Sequence, residues 1–148
     1  MPTMNRFVAI AAFACLACAS VSVLADDHAY SQGAVVSVSR IRTVDGKFDE
    51  YMNWIDTKWK QQQEIGKKAG NVLSYAVYQT QPRDPGEPDL LLVITYKNWA
   101  ALDGALARAD SVAKEVSGSV AAASQAQVER AKIRTVLGSE YIQELMLK

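Results

Sequence analysis

Few side chains in this chain can make or break a bond. The sequence holds one histidine, His28, and two cysteines, Cys15 and Cys18. All three stand ahead of the first predicted element, which excludes a histidine base, a thiolate nucleophile, a His/Cys metal cage and a disulfide framework from the folded body. Beyond residue 25 there is also no GxGxxG, GxxxxGK[ST], GxSxG, HExxH or CxxC spacing, so nucleotide binding, serine hydrolysis and zinc proteolysis have no support. What is left is aromatic and cationic: Tyr51, Trp54, Trp59, Tyr75, Tyr78 and Tyr96, with Arg40 and Arg134 as anion contacts. Rings of this kind around one apolar cavity could hold a flat apolar or quinone-like molecule, and no cofactor is expected.

Each of these residues also has a plainer use. Trp59 continues the stripe Phe48, Met52, Ile55, where a tryptophan serves as core. Trp54 falls to the side of that stripe, as a pocket, interface or exposed ring. Tyr75 and Tyr78 have opposite parity on a strand, so one of them must face away from the helices. Arg40 can reach water from a strand end. Among the acids, Asp56 and Glu64 read as surface charges, and Glu140 as the partner of Arg134 in an ion pair between elements.

A second kind of chemistry belongs to the start of the chain. Arg6, the apolar run Phe7 to Ala19 and the closing Val23-Leu24-Ala25 have the three-part layout of a secretory leader spanning residues 1–25. Ser20, Ser22 and the acidic pair that follows leave too short a run for a membrane span, which takes about 20 apolar residues. Cys18 after Leu16-Ala17 resembles a lipoprotein box only in part, since Cys15 stands where that box has a branched apolar residue. The expectation is therefore a periplasmic or secreted domain with no cysteine, held together by its core. Cleavage after Ala25 would leave Asp26, Asp27 and His28 as the first three residues. The free amine, two deprotonated amides and the imidazole then supply the four coplanar nitrogens favoured by Cu(II) and Ni(II).

Sixteen basic residues balance sixteen acidic ones over 148 residues, with 49% hydrophobic and 22% charged. This is the composition of one globular domain. It carries no electrostatic footprint for nucleic acid or an anionic membrane.

The elements that must position these side chains follow from periodicity. After a flexible tail over 26–33, the segment Gly33 to Thr43 alternates and is rich in β-branched residues, giving a first strand. Asp45 would cap an amphipathic helix running to Ala69, with Gly70 as its stop. Asn71 to Gln81 alternates as a second strand, and the Pro/Gly-rich 82–88 forms a hairpin loop. Leu90 to Tyr96 (LLLVITY) is a third strand, apolar on both faces. Asn98 caps a helical stretch, and Asp110 to Ala123 reads as a further helical piece broken near Gly118. Ser124-Gln125-Ala126-Gln127 reads as a capping box for a helix ending at Gly138, before a last strand from Glu140 to Lys148. The order is βαββαβ, a ferredoxin-like α+β domain over 34–148 with a four-stranded antiparallel sheet. Helices then cover one side of the sheet only, and a second copy meeting the other side would shelter the apolar third strand.

The start VVSVSRIRTVDGKFDEYM, the pair Trp54/Trp59, the run LLLVITY leading to NWAAL, and the closing LGSEYIQELMLK resemble the dimeric α/β-barrel superfamily, which includes antibiotic-biosynthesis-monooxygenase-like domains. That resemblance implies a homodimer through the sheet face and a small-molecule site between helices and sheet, with cofactor-independent, monooxygenase-like activity as its catalytic form. A non-enzymatic envelope or stress-related dimer is the alternative. Members that use a cleft histidine as base or haem ligand are not matched here, because His28 precedes the domain.

Overall fold

The computed structural model describes residues 28–148. The expected leader over 1–25, with Asp26 and Asp27 of the expected metal-binding terminus, lies outside the described residues. Strand β1 covers Tyr30–Thr43, β2 Ser74–Gln79, β3 Leu90–Tyr96 and β4 Arg134–Leu147. They form one antiparallel sheet in the order β2-β3-β1-β4, the ferredoxin-like arrangement. β3 has the predicted bounds, because a short branched apolar run between turn residues admits little else. β1 starts at Tyr30, three residues earlier than the alternation indicates, and residues 30–32 pair with 145–147.

Helix α1 (Phe48–Trp54) passes through a π-helical turn (Ile55–Trp59) into α2 (Lys60–Lys68) without a break. Asp45 does not cap it; Lys47 occupies that position with no side-chain hydrogen bond. The end is as predicted. Gly70 takes φ +74°, and the N–H groups of Gly70 and Asn71 donate to the carbonyls of Lys67 and Gly66, both at 3.0 Å. These are the two bonds of a Schellman stop. The buried stripe is not the one predicted. Tyr51, Ile55, Trp59 and Gln63 are buried, while Phe48 and Met52 are only partly so. A regular helix drifts about 40° for every four residues, so residues twelve apart would diverge by about 120°. The π turn takes up one extra residue, close to 100° of that drift, and brings the four into line, Tyr51, Ile55 and Trp59 packing with Ile41, Leu90 and Leu92.

The second half departs further from its prediction. Asn98 does cap a short 3-10 turn (Trp99–Leu102), accepting from the Ala101 N–H at 3.2 Å. Helix α3 (Ala105–Ser117) stops at Gly118, and α4 (Val120–Arg130) starts under Ser119, whose hydroxyl accepts from the Ala122 N–H at 3.0 Å. The expected box at Ser124 lies inside α4, so its Ser and Gln are ordinary helix positions. The predicted last helix therefore ends eight residues early. Residues 134–139 join β4 instead, because β1 is long enough to pair with them as far as Thr43, with Leu137 bulged out between the Arg40–Gly138 and Ile41–Val136 pairs. No helix among the described residues is long and apolar enough to cross a membrane.

Register sorts the strand side chains onto two faces, since directly opposed residues share a face. Val35, Ile41, Tyr75, Leu90, Leu92, Ile94 and Tyr96 face the helices; Val36, Val38, Arg40, Tyr78, Leu91, Val93 and Ile142 face the other way. The third strand is thus apolar on both sides, as predicted, with its second side lying in an uncovered apolar patch.

Candidate functional site

Between α2 and α3, over β3 and β4, lies an open cleft of about 490 Å³. Its walls are apolar, chiefly Ile65, Val72, Ile94, Leu102 and Val112. The wall can close because Gly66 lies against Val72: a Cβ there would come within 2.8 Å of the valine side chain. Polar groups enter from Gln62, Gln63, Asn71, Tyr96, Arg108, Ser111 and Tyr141. The arginine is engaged: Nη2 donates to the Ala101 carbonyl at 2.7 Å and Nη1 to that of Asp103, fastening the 3-10 turn to α3. Burial, with the Tyr141 ring nearby, pushes the Tyr96 phenol above its ordinary range against a smaller pull from Arg108. It is therefore a neutral hydroxyl at physiological pH. Tyr141 leans on Trp99 at 5.9 Å, and the Trp99 indole N–H donates to Gln143 Oε1 at 3.1 Å.

Of the rings and arginines expected around a single cavity, the structure places only Tyr96 in this cleft. Trp59 is core, edge-on to Tyr75 at 5.4 Å and 89°. The Tyr75 hydroxyl donates to Glu64 Oε1 at 2.6 Å, which holds that carboxyl below its usual range with help from Lys67 and Lys68. Trp54 stacks on Tyr51 at 5.5 Å and 11°, under the Arg130 guanidinium at 4.3 Å. Tyr78, 55% exposed, and Arg40 lie on the open face of the sheet. Strand parity therefore separates Tyr78 and Arg40 from the cleft, and the helix phase separates Trp54 and Trp59 from it.

Arg134 faces Tyr51 at 5.9 Å, opposite Thr43 in the sheet, whereas Glu140 is opposite Val38 on the other face. The bulge at Leu137 separates them, so the expected ion pair does not form. The Nε atoms of Arg130 and Arg134 are buried without a hydrogen-bond partner, stacked on aromatic faces that reward the cation instead. His28 stacks on Tyr30 at 5.5 Å and 13°. Among the described residues no cluster of three His, Cys, Asp or Glu could hold a metal ion.

Gln62, Gln63, Asn71, Arg108, Ser111 and Tyr141 are polar cleft residues that the sequence does not single out. Nothing in a run such as KQQQE distinguishes the two glutamines that line the cleft, or Gln63 as the buried one. Tyr141 was assigned only to a strand.

No family model matches the chain, and no curated protein matches it in sequence. Solved structures do. A dimeric ferredoxin-like protein from an uncultured marine organism aligns at 8% identity and a TM-score of 0.50, over 80% of this chain and 90% of that one. HapK from Hahella chejuensis aligns at 12% and 0.49 over 74% and 91%, and a protein from Shewanella oneidensis at 17% and 0.48 over 79% and 96%. With the strand order β2-β3-β1-β4, antiparallel pairing throughout and helices on one side only, this chain has the ferredoxin-like fold.

Proposed function

We propose that this is an exported homodimer that binds a small, mostly apolar molecule in the cleft between α2 and α3. The observation that carries the reading is the cleft itself: its size and apolar walls, interrupted by polar tips, are those of small-molecule sites. Among the described residues lining it, the only ionisable side chains are Tyr96, Tyr141 and Arg108. Tyr96 is held protonated and Arg108 is bonded to carbonyls. Proton abstraction by the protein thus has no base at this site, which favours binding over chemistry. Cofactor-independent oxygenation, the catalytic variant, would need a substrate that arrives already ionised. Thermal-shift measurements with flat phenols and quinones test the reading: a raised Tm is expected, lost in Val112→Phe, which fills the cleft. No shift with any of them, or a shift that survives Val112→Phe, refutes it.

Dimerisation is proposed through the open sheet face. Val36, Val38, Leu91, Val93 and Ile142 form a patch there that no helix covers, and burying it gains about 25 cal/mol per Å². Of the two neighbours in β3, Val93 faces outward and Ile94 faces the helices. Light scattering should therefore show a dimer that Val93→Asp dissociates, and a wild-type monomer at micromolar concentration would refute the interface. Export and copper binding stand together on cleavage after Ala25. Copper titration of the processed protein should give the violet-pink band of a four-nitrogen site, absent in His28→Ala, and a start other than Asp26 removes the proposal.

A further inference from the structure

Gln63 is an unusual core residue. It is 8% exposed, sits at the end of the stripe Tyr51, Ile55, Trp59, Gln63, and lines the cleft. No side-chain hydrogen bond to its amide occurs among the described residues. A carboxamide has two donors and a two-fold acceptor, and although the residue as a whole is nearly buried, its amide atoms are not sealed in the core but open to the cleft. Leucine or methionine would complete the apolar stripe, so the amide offers the cleft a donor and an acceptor that packing does not require. Its place there is set by a local irregularity: without the π turn at Ile55–Trp59, Gln63 would rotate away from the cleft. Turns of this type concentrate at functional positions.

The remaining polar tips narrow what could meet the amide. No carboxylate and no lysine lines the cleft, and Arg108 is already bonded to two carbonyls. The Tyr96 hydroxyl is neutral and, like the Gln63 amide, makes no side-chain hydrogen bond. A charged ligand would leave its own charge unpaired among apolar walls, which is costly.

We infer that Gln63 holds the polar edge of the ligand in this cleft, and that the ligand is an uncharged flat molecule bearing a hydrogen-bond donor beside an acceptor, as on a lactam or vicinal hydroxy-carbonyl edge. The carboxamide then donates and accepts in one plane, and the apolar body lies against Ile65, Val72 and Val112. This deepens the binding reading of the cleft and rests on it. A site built to hydrogen-bond such an edge rejects an analogue that lacks the donor more strongly than an apolar pocket rejects a change in size.

The probes are two isomers of one size: carbostyril methylated on carbon, which keeps the lactam N–H, and N-methylcarbostyril, which lacks it. By calorimetry the wild-type protein should prefer the first by about tenfold, the value of one well-placed hydrogen bond. Gln63→Met should bind both equally and melt no lower than the wild type, since the amide makes no hydrogen bond to the rest of the described chain. Equal binding by the wild type, or a preference that survives Gln63→Met, overturns the role of Gln63 while the cleft stands as a binding site. A lower Tm in both Gln63→Met and Gln63→Leu also overturns it, by showing that the amide serves the fold. If neither isomer binds at millimolar concentration, the cleft reading fails and this inference with it.

Discussion

The two helical segments that cover the sheet are built to different standards. The first, Phe48 to Lys68, buries Tyr51, Ile55, Trp59 and Gln63 in succession, the first three against β1 and β3. The second, Ala105 to Arg130, fully buries only Val116, while Leu106 and Val128 are 80% and 59% exposed. Both halves follow the same βαβ plan, but one has large, branched and aromatic side chains and the other is dominated by alanine and serine. Small side chains cannot fill the space between helix and sheet, and the cleft lies where they fail to do so, between α2 and α3. Cohesion and room are thus divided between the halves: the first closes the core, and the second leaves a cavity that a ligand can occupy.

This division implies graded responses. The largest belongs to Trp59→Ala, which empties a site packed by Tyr75 and Ile55 and should cost about 3–5 kcal/mol, read as a lower denaturant midpoint at unchanged slope. Val116→Ala probes the equivalent place in the second half. With two carbons removed, a loss of about 1–2 kcal/mol is expected, and a loss matching that of Trp59→Ala would abolish the distinction. The tie between Tyr75 and Glu64 gives a smaller, pH-dependent effect. A carboxyl whose pKa is depressed on folding stabilises above its ordinary value of 4.5 and loses that contribution as pH falls through the lower, folded value. Tyr75→Phe removes the hydrogen bond, so its Tm should fall less than that of wild type on acidification from about pH 6 to about pH 3. Smallest of all is Leu106→Ser, expected to shift stability by no more than about 0.5 kcal/mol either way. A large loss there would show that α3 packs against something in solution, such as a second copy.

Legibility in the sequence follows the same division. LLLVITY reads as one strand because nothing else suits five branched apolar residues followed by threonine and tyrosine between turns, and Gly70 stops its helix in the predicted way. The parity of Tyr75 and Tyr78 also reads correctly: the first faces the helices and the second the open side. The stripe on the first helix is misread because periodicity assumes a uniform 100° per residue, and the π turn leaves no compositional trace. For that reason Gln63 stays hidden, while Tyr96, fixed by strand alternation alone, is found. In the second half, alanine and serine offer too little contrast in hydropathy to locate boundaries. Ser124 with Gln127 imitates a capping box inside α4, whereas the true cap, Ser119, has no Glu or Gln three residues on. The start of β4 is set by a tertiary fact, the length of β1, that no local window contains.

That long β1–β4 ladder determines how the molecule responds to force. Tyr30 pairs with Leu147, and the Lys148 N–H donates to the Ala29 carbonyl at 3.0 Å. The two points at which a pull on residues 29 and 148 would act are thus neighbours on antiparallel strands, and the load falls along the rungs, on the first of them, rather than across all of them at once. Hydrogen bonds loaded in this direction break one pair at a time, as in opening a zipper, instead of sharing the strain as they would in shear. The bulge between Gln32 and Val35 leaves the first rungs still less continuous with the rest. A motor or pore gripping the segment before Tyr30 would therefore meet the sheet at its weakest mechanical axis, however stable the packed core beneath it.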